Sequence, residues 1–128
     1  MDGNGRLLIS VGHDIQLISE MEKVKALREP GLFFTQRERD NFKPQNLNQS
    51  LATAFAAKEA FFKALPTVVN FFWTDVEVLR DQSGKPHYYL GGAVGSLFTK
   101  ACWRAVLSIS HSGDYVSVVT LITCDGSG

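Results

Sequence analysis

The stretch from Leu51 to Leu65, closed by Pro66, constrains this chain most. It is rich in Ala, Leu, Lys, Glu and Phe with no Gly or Pro inside, the composition of a good helix former. Pro66 cannot continue a helix, so the sequence predicts one over 51–65. Ala52, Ala56, Glu59 and Lys63 follow one another at intervals of four, three and four, which puts them on one stripe. Leu51, Phe55, Phe62 and Leu65 supply the opposite, core-facing stripe. Alanines beside Glu59 leave room for a ligand to approach the helix. Taken alone, Glu59 and Lys63 also fit a solvated i,i+4 ion pair, worth about 0.3–0.5 kcal/mol.

Around this helix the remaining elements are short. Leu7 to Gly12 is apolar and β-prone and reads as a buried strand. Asp14 then stands where a helix N-cap is expected, ahead of Ile15, Leu17, Ile18, Met21, Val24 and Leu27; Pro30 and Gly31 stop that helix. Thr35-Gln36-Arg37-Glu38 fits a capping box and predicts a second, short helix ended by Pro44. Thr74 to Arg80 alternates as a strand, Asp81-Gln82-Ser83-Gly84 turns, and Pro86 to Leu90 returns. Gly95 to Cys102 reads as a helix. Ala105 to Ser110 and Tyr115 to Ile122 read as strands joined at His111 to Asp114, and the tail Cys124 to Gly128 as frayed. The pattern is α+β, a mostly antiparallel sheet packed against a long helix.

Composition narrows the function classes. A chain of 128 residues fits one domain, 1–128. Thirteen basic and thirteen acidic residues cancel, so there is no basic excess for nucleic acid and no dense Lys/Arg tract for an acidic membrane. Val68 to Trp73, the longest apolar stretch, is too short to span a bilayer. The start MDGNGR carries no apolar signal-peptide core. Cys102 and Cys124 lack a C-x-x-C spacing and read as reduced thiols in a cytoplasmic protein.

Three features can carry chemistry. Asp14 is a cap or a metal ligand, roles a carboxylate can combine. Glu59 lies beside Lys63. Leu107 to Tyr115 contains Ser110, His111 and Asp114, which invites a hydrolase reading. Adjacent strand residues point to opposite faces, however, so Ser110 and His111 make a poor nucleophile–base pair, and no G-x-S-x-G elbow is present. The histidines are scattered, with no zinc spacing. Two carboxylates without thiolates suit a hard cation, and Mg²⁺ takes one or two carboxylates plus substrate phosphates.

Read in order, VGHDI (11–15), FTQRE (34–38), FAAKEAFFKAL (55–65), GKP (84–86) and SISH (108–111) resemble the short holo-acyl-carrier-protein synthase group of 4′-phosphopantetheinyl transferases. The resemblance covers nearly the whole chain. It implies a single small α+β domain that forms a homotrimer with active sites between subunits. It also implies Mg²⁺-dependent transfer of the phosphopantetheine arm of coenzyme A to a serine of an apo acyl carrier protein, in fatty acid biosynthesis, releasing adenosine 3′,5′-bisphosphate. Asp14 and Glu59 match the metal carboxylates. Lys58 and Lys63 match positions near the coenzyme A phosphates. Gly84 and Pro86 match the turn beside the adenine, and Ser110 and His111 the segment holding the nucleotide end. The last two segments face the metal residues across a subunit boundary.

Two positions depart from the pattern. Where the family often has an arginine facing the carrier, this chain has Glu20, with Lys23 and Lys25 nearby. Where the family commonly has an arginine before the Phe of the KEA helix, this chain has Ala54. The alternative reading is a degenerate relative that binds coenzyme A or a carrier protein without transfer.

Overall fold

The first strand, β1 (Arg6–Leu17), runs past the point where a helix was expected. It pairs antiparallel with the last strand, β5 (Tyr115–Asp125), which also pairs with β4 (Trp103–Ser112), giving the order β1-β5-β4. Between them lie α1 (Gln36–Asp40), α2 (Leu47–Ala64), the hairpin of β2 (Val76–Arg80) and β3 (Pro86–Leu90), and α3 (Gly92–Ala101). The computed structural model describes residues 5–125. The architecture is α+β with both sheets antiparallel, as the sequence predicts.

Asp14 is therefore a strand residue, opposite Val118, and not a helix cap. Alternation decides this: Gly12 and Asp14 are buried while Val11, His13 and Ile15 face outward, and a helix could not keep that period of two. The expected helix is replaced by two 3-10 turns, Ile18–Lys23 and Lys25–Arg28. Ile18, Met21, Val24 and Leu27 recur every three residues, the period of a 3-10 helix, and Met21 and Leu27 are buried. The capping box is present as expected: Glu38 N–H donates to Thr35 Oγ1 (3.2 Å) and Thr35 N–H to Glu38 Oε1 (3.0 Å).

The alanine face of α2 is a second correction. Ala52, Ala56, Ala60 and Ala64 are all buried, so this row packs on the sheet rather than admitting a ligand. Small side chains let helix and strand approach closely. At Gly12 the approach is closest, and a Cβ there would run into the Ala60 carbonyl and the Ala64 backbone nitrogen. Phe55 and Phe62, expected on the core stripe, are half-buried under a separate aromatic row. Their rings lie 5.7 and 5.0 Å from Trp73, and Phe71 stacks on Phe62 at 3.7 Å. Such pairs add about 0.5–1.5 kcal/mol each beyond burial.

The other boundaries shift by a few residues. α2 starts at Leu47, β2 at Val76 after a 3-10 turn at Trp73–Asp75, and α3 runs from Gly92 to Ala101, capped by Cys102 at φ 57°. The β4–β5 turn is only Gly113 and Asp114, with Gly113 at φ 57° as a tight hairpin requires. Cys124 and Asp125 belong to β5, and 126–128 lie outside the described residues. Among the described residues no helix is long and apolar enough to cross a membrane.

Candidate active site

Gly12 sets the geometry of the first group of residues. By letting β1 press on the end of α2, it brings Asp14, two residues on, against Lys63. Lys63 Nζ lies 2.8 Å from Asp14 Oδ1 and 3.3 Å from the His13 carbonyl oxygen. Gln16 Nε2–H donates to Asp14 Oδ2 at 2.7 Å. The Asp14 side chain is 8% exposed and that of Lys63 53%. The hydrogen bond it donates to Asp14 holds the Lys63 ammonium above its ordinary range.

Glu59 is half-buried one turn before Lys63. Burial pushes its carboxyl above 4.5, the negative charge of Asp14 pushes it further, and Lys63 opposes both. A carboxylate whose proton affinity is raised by burial and by a neighbouring carboxylate marks a place where added positive charge is favourable. Among the described residues no cluster of three or more His, Cys, Asp or Glu side chains exists. A two-carboxylate donor set fits Mg²⁺, which leaves most of its shell to water and phosphate oxygens, and fits zinc poorly.

A second group gathers around a cavity of about 360 Å³ at the other end of α2. Lys43, Thr53, Ala54, Arg80, Pro86 and His111 are among its walls, as is Gly84. The Gly84 turn is built by one side chain. Asp81 Oδ1 accepts from Ser83 Oγ (2.6 Å), Ser83 N (2.9 Å) and Lys85 N (3.0 Å), and Asp81 Oδ2 lies 2.8 Å from His87 Nε2. Those bonds, Ser83 first, hold Asp81 far below the usual carboxylate range. Gly84 takes φ 88°, and Arg80 Nη1–H donates to its carbonyl at 2.8 Å. Burial, and then the charge of Arg80, hold the His111 imidazole below 6.5. Lys43 and Arg80 make the cavity cationic, since buried Glu38 is neutralised from behind by Lys58.

The expected residues divide accordingly. Asp14, Glu59 and Lys63 come together. Gly84, Pro86 and His111 come together in the cavity, which none of the first three lines. Ser110, adjacent to His111 on β4, is exposed and does not line the cavity, because successive strand residues face opposite ways. The same alternation removes the Ser/His hydrolase geometry.

Lys58 is corrected outright. It is fully buried, and Nζ spends all three protons internally, on Glu38 Oε1 (2.8 Å), the Val76 carbonyl (2.7 Å) and the Trp73 carbonyl (3.0 Å). No donor remains for a phosphate. Glu38, read from sequence only as a cap residue, also accepts from Val78 N–H at 3.1 Å. Lys43, Thr53 and Arg80 were not singled out as site residues. Two cations far apart in sequence carry no local sign of sharing a cavity, and only the β2–β3 hairpin brings them together.

A family model described as ACPS, 4′-phosphopantetheinyl transferase superfamily, matches residues 10–120. A holo-[acyl-carrier-protein] synthase of Streptococcus uberis is 40% identical over 117 residues, covering 86% of this chain and 92% of that protein. The crystal structure of a holo-ACP-synthase from Plasmodium yoelii superposes with a TM-score of 0.79 at 27% identity, covering 94% of this chain and 98% of that one. The ACPS–CoA complex from Chronobacterium ammoniagenes gives 0.73 at 29% identity, covering 92% and 96%. With five ordered motifs, the fold and these matches in agreement, the chain belongs to the 4′-phosphopantetheinyl transferase superfamily, as an enzyme of the holo-acyl-carrier-protein synthase kind.

Proposed function

We propose that this enzyme moves the 4′-phosphopantetheine arm of coenzyme A to a serine of an apo acyl carrier protein, with Mg²⁺ held by Asp14 and Glu59. The observation that carries the reading is the Asp14–Lys63–Glu59 group, two carboxylates and an ammonium gathered where α2 meets β1. Serine Oγ forms a bond to the phosphorus nearer the pantetheine. The bridging P–O bond breaks, and adenosine 3′,5′-bisphosphate leaves. Mg²⁺, when bound, neutralises the pyrophosphate and orients it. Lys63, more than half exposed, is free to turn an N–H toward charge gathering on the leaving phosphate. The serine proton goes to Glu59, Asp14 or water.

The cationic cavity suits the nucleotide end of coenzyme A, with Gly84, Pro86 and His111 on its wall. Cavity and carboxylates meet only if a second copy supplies one of them. The outer face of the three-stranded sheet supports that association: Val11, Ile15, Val106 and Val119 are exposed on it. An apolar face of this kind favours burial by another subunit. We infer a homotrimer, acting in the cytoplasm on the carrier of fatty acid synthesis.

The test is to incubate the protein with coenzyme A, Mg²⁺ and apo carrier proteins and to weigh the carriers. A phosphopantetheine mass gain lost in Glu59→Gln, or on adding EDTA, supports the proposal; a gain indifferent to both sinks the metal assignment. The second reading, binding without transfer, is favoured by Ala54, which puts a methyl group on the cavity wall. Coenzyme A binding with every carrier left unmodified would select it. Light scattering decides assembly, and a strict monomer would refute the inter-subunit site.

A further inference from the structure

Two side chains hold the nearly buried Asp14 carboxylate, and they differ in kind. Lys63 Nζ sits on Oδ1 at 2.8 Å, and Gln16 Nε2–H donates to Oδ2 at 2.7 Å. Lys63 reaches across from the end of α2, carries a charge and has half its side chain in solvent. Gln16 is neutral and half-buried, and it stands two residues along β1 on the same face as Asp14. Pairing with β5 sets Asp14 opposite Val118 and Gln16 opposite Val116, both fully buried. Amide and carboxylate therefore ride on one stretch of sheet, while the ammonium is free to swing.

We propose that Gln16 is a positioning residue: its amide keeps the Asp14 carboxylate aimed when the Lys63 ammonium withdraws to make way for a divalent cation. A cation arriving at Asp14 repels the ammonium that shares the carboxylate, but it does not repel a neutral amide. A carboxylate offers about four lone-pair positions, and Lys63 and Gln16 take one on each oxygen. The amide can therefore stay in place while Asp14 accepts a new partner. Being neutral, it fixes the carboxylate without cancelling the charge that attracts the cation. Hydrogen bonds of this kind to a ligating carboxylate set its orientation and its affinity for metal. The inference rests on reading Asp14 as a cation carboxylate.

The holding and its consequence are measured separately. Side-chain amide ¹H and ¹⁵N shifts of Gln16, recorded without metal in wild type and in Lys63→Met, report the holding. The expected result is one amide proton displaced downfield by the carboxylate in both proteins. A free-amide pattern in either protein overturns the proposal. Calorimetric titration with Mg²⁺ alone reports the consequence. Gln16→Met, similar in length and without a donor, weakens Mg²⁺ binding about 10-fold or more. In transfer assays the half-saturating Mg²⁺ rises by the same factor, with KM for coenzyme A at saturating Mg²⁺ little changed. Wild-type Mg²⁺ affinity in Gln16→Met overturns the proposal. So does a KM for coenzyme A that rises as far as the Mg²⁺ requirement, the mark of a general distortion. Wild-type protein that takes up no Mg²⁺ would instead refute the metal reading of Asp14, while the amide shifts still decide whether Gln16 holds the carboxylate without Lys63.

Discussion

Lys58 and Lys63 stand five residues apart on the same helix and do opposite things. Lys58 is enclosed with Glu38, both side chains 0% exposed, and every proton of its ammonium is used inside the protein. Lys63 lies over Asp14 with half its side chain in solvent. Burial pushes the Lys58 ammonium down and the Glu38 carboxyl up, each opposed by the other's charge, while Asp14 holds Lys63 up. Helix geometry explains the divergence: five residues turn the helix by about 500°, so Lys58 points toward β2 and Lys63 toward β1. The buried pair ties α1, α2 and β2 together, and with them the Glu38, Val78 and Arg80 wall of the cavity. In the second pair the ammonium is reachable from solvent, so it is the one that can exchange partners with an incoming group.

The most direct way to break the comparison is Lys58→Met. It leaves the Glu38 carboxylate buried without its cation, which costs about 3–5 kcal/mol in urea denaturation. The double variant Lys58→Met/Glu38→Leu removes the orphaned charge and recovers most of that loss, since apolar replacements of buried pairs are often neutral or better. A single variant as stable as wild type would mean the pair contributes nothing to the fold. Next in size is Gly12→Ala. The new methyl has only the Ala60 carbonyl and Ala64 backbone to meet, so β1 must lift from α2. Overpacking of this kind costs about 1–3 kcal/mol. Asp14 is carried away from Lys63 as β1 lifts, so transfer falls in a variant that still folds; full activity would show that the carboxylates tolerate a looser fit.

Lys63→Met should cost about 1–2 kcal/mol, less than Lys58→Met, because Lys63 is half exposed and the nearly buried Asp14 carboxylate keeps its bond from Gln16. Its larger effect belongs in turnover, measured as kcat in the carrier assay. The two lysines thus separate into one that denaturation detects most and one that kinetics detects most.

Much of this was legible in the sequence and part was not. The helix over 51–65, the capping box at Thr35 and Glu38, and the β2–β3 turn are local, and each is present within a few residues of its expected place. The segment after Gly12 misled because Ile15 and Leu17 suit a strand as well as a helix. Pairing of Ile15 with Ser117 and Leu17 with Tyr115, more than 90 residues away, decided between them. The alanine row looked like room for a ligand because sequence cannot say what covers a small face; here β1 and β5 do. Lys58 was misplaced for a similar reason. Its neighbour Glu59 faces the site, and only the long-range contacts with Glu38 and β2 reveal that Lys58 turns the other way. The order of the motifs, by contrast, survived these local errors, since it depends on topology the whole family shares.

The smallest expected effect lies in the pH dependence of Glu59. Its folded-state carboxyl is held above 4.5 by burial and by Asp14, so the folded protein binds that proton more tightly than the unfolded chain. The contribution is therefore fully present below the unfolded value and is lost as pH rises through the folded one. In metal-free buffer the stability gained by Glu59→Gln should grow from pH 4.5 toward neutrality, because the amide never acquires the charge that Asp14 repels. Adding Mg²⁺ should reverse the order, stabilising wild type and leaving Glu59→Gln nearly untouched, since a ligand bound only by the folded state adds its binding free energy to folding. Denaturant midpoints of both proteins across that pH range, with and without Mg²⁺, give the comparison without any turnover. Equal midpoint shifts on Mg²⁺ addition in the two proteins would remove Glu59 from the metal site and leave Lys63 and Asp14 as a plain ion pair.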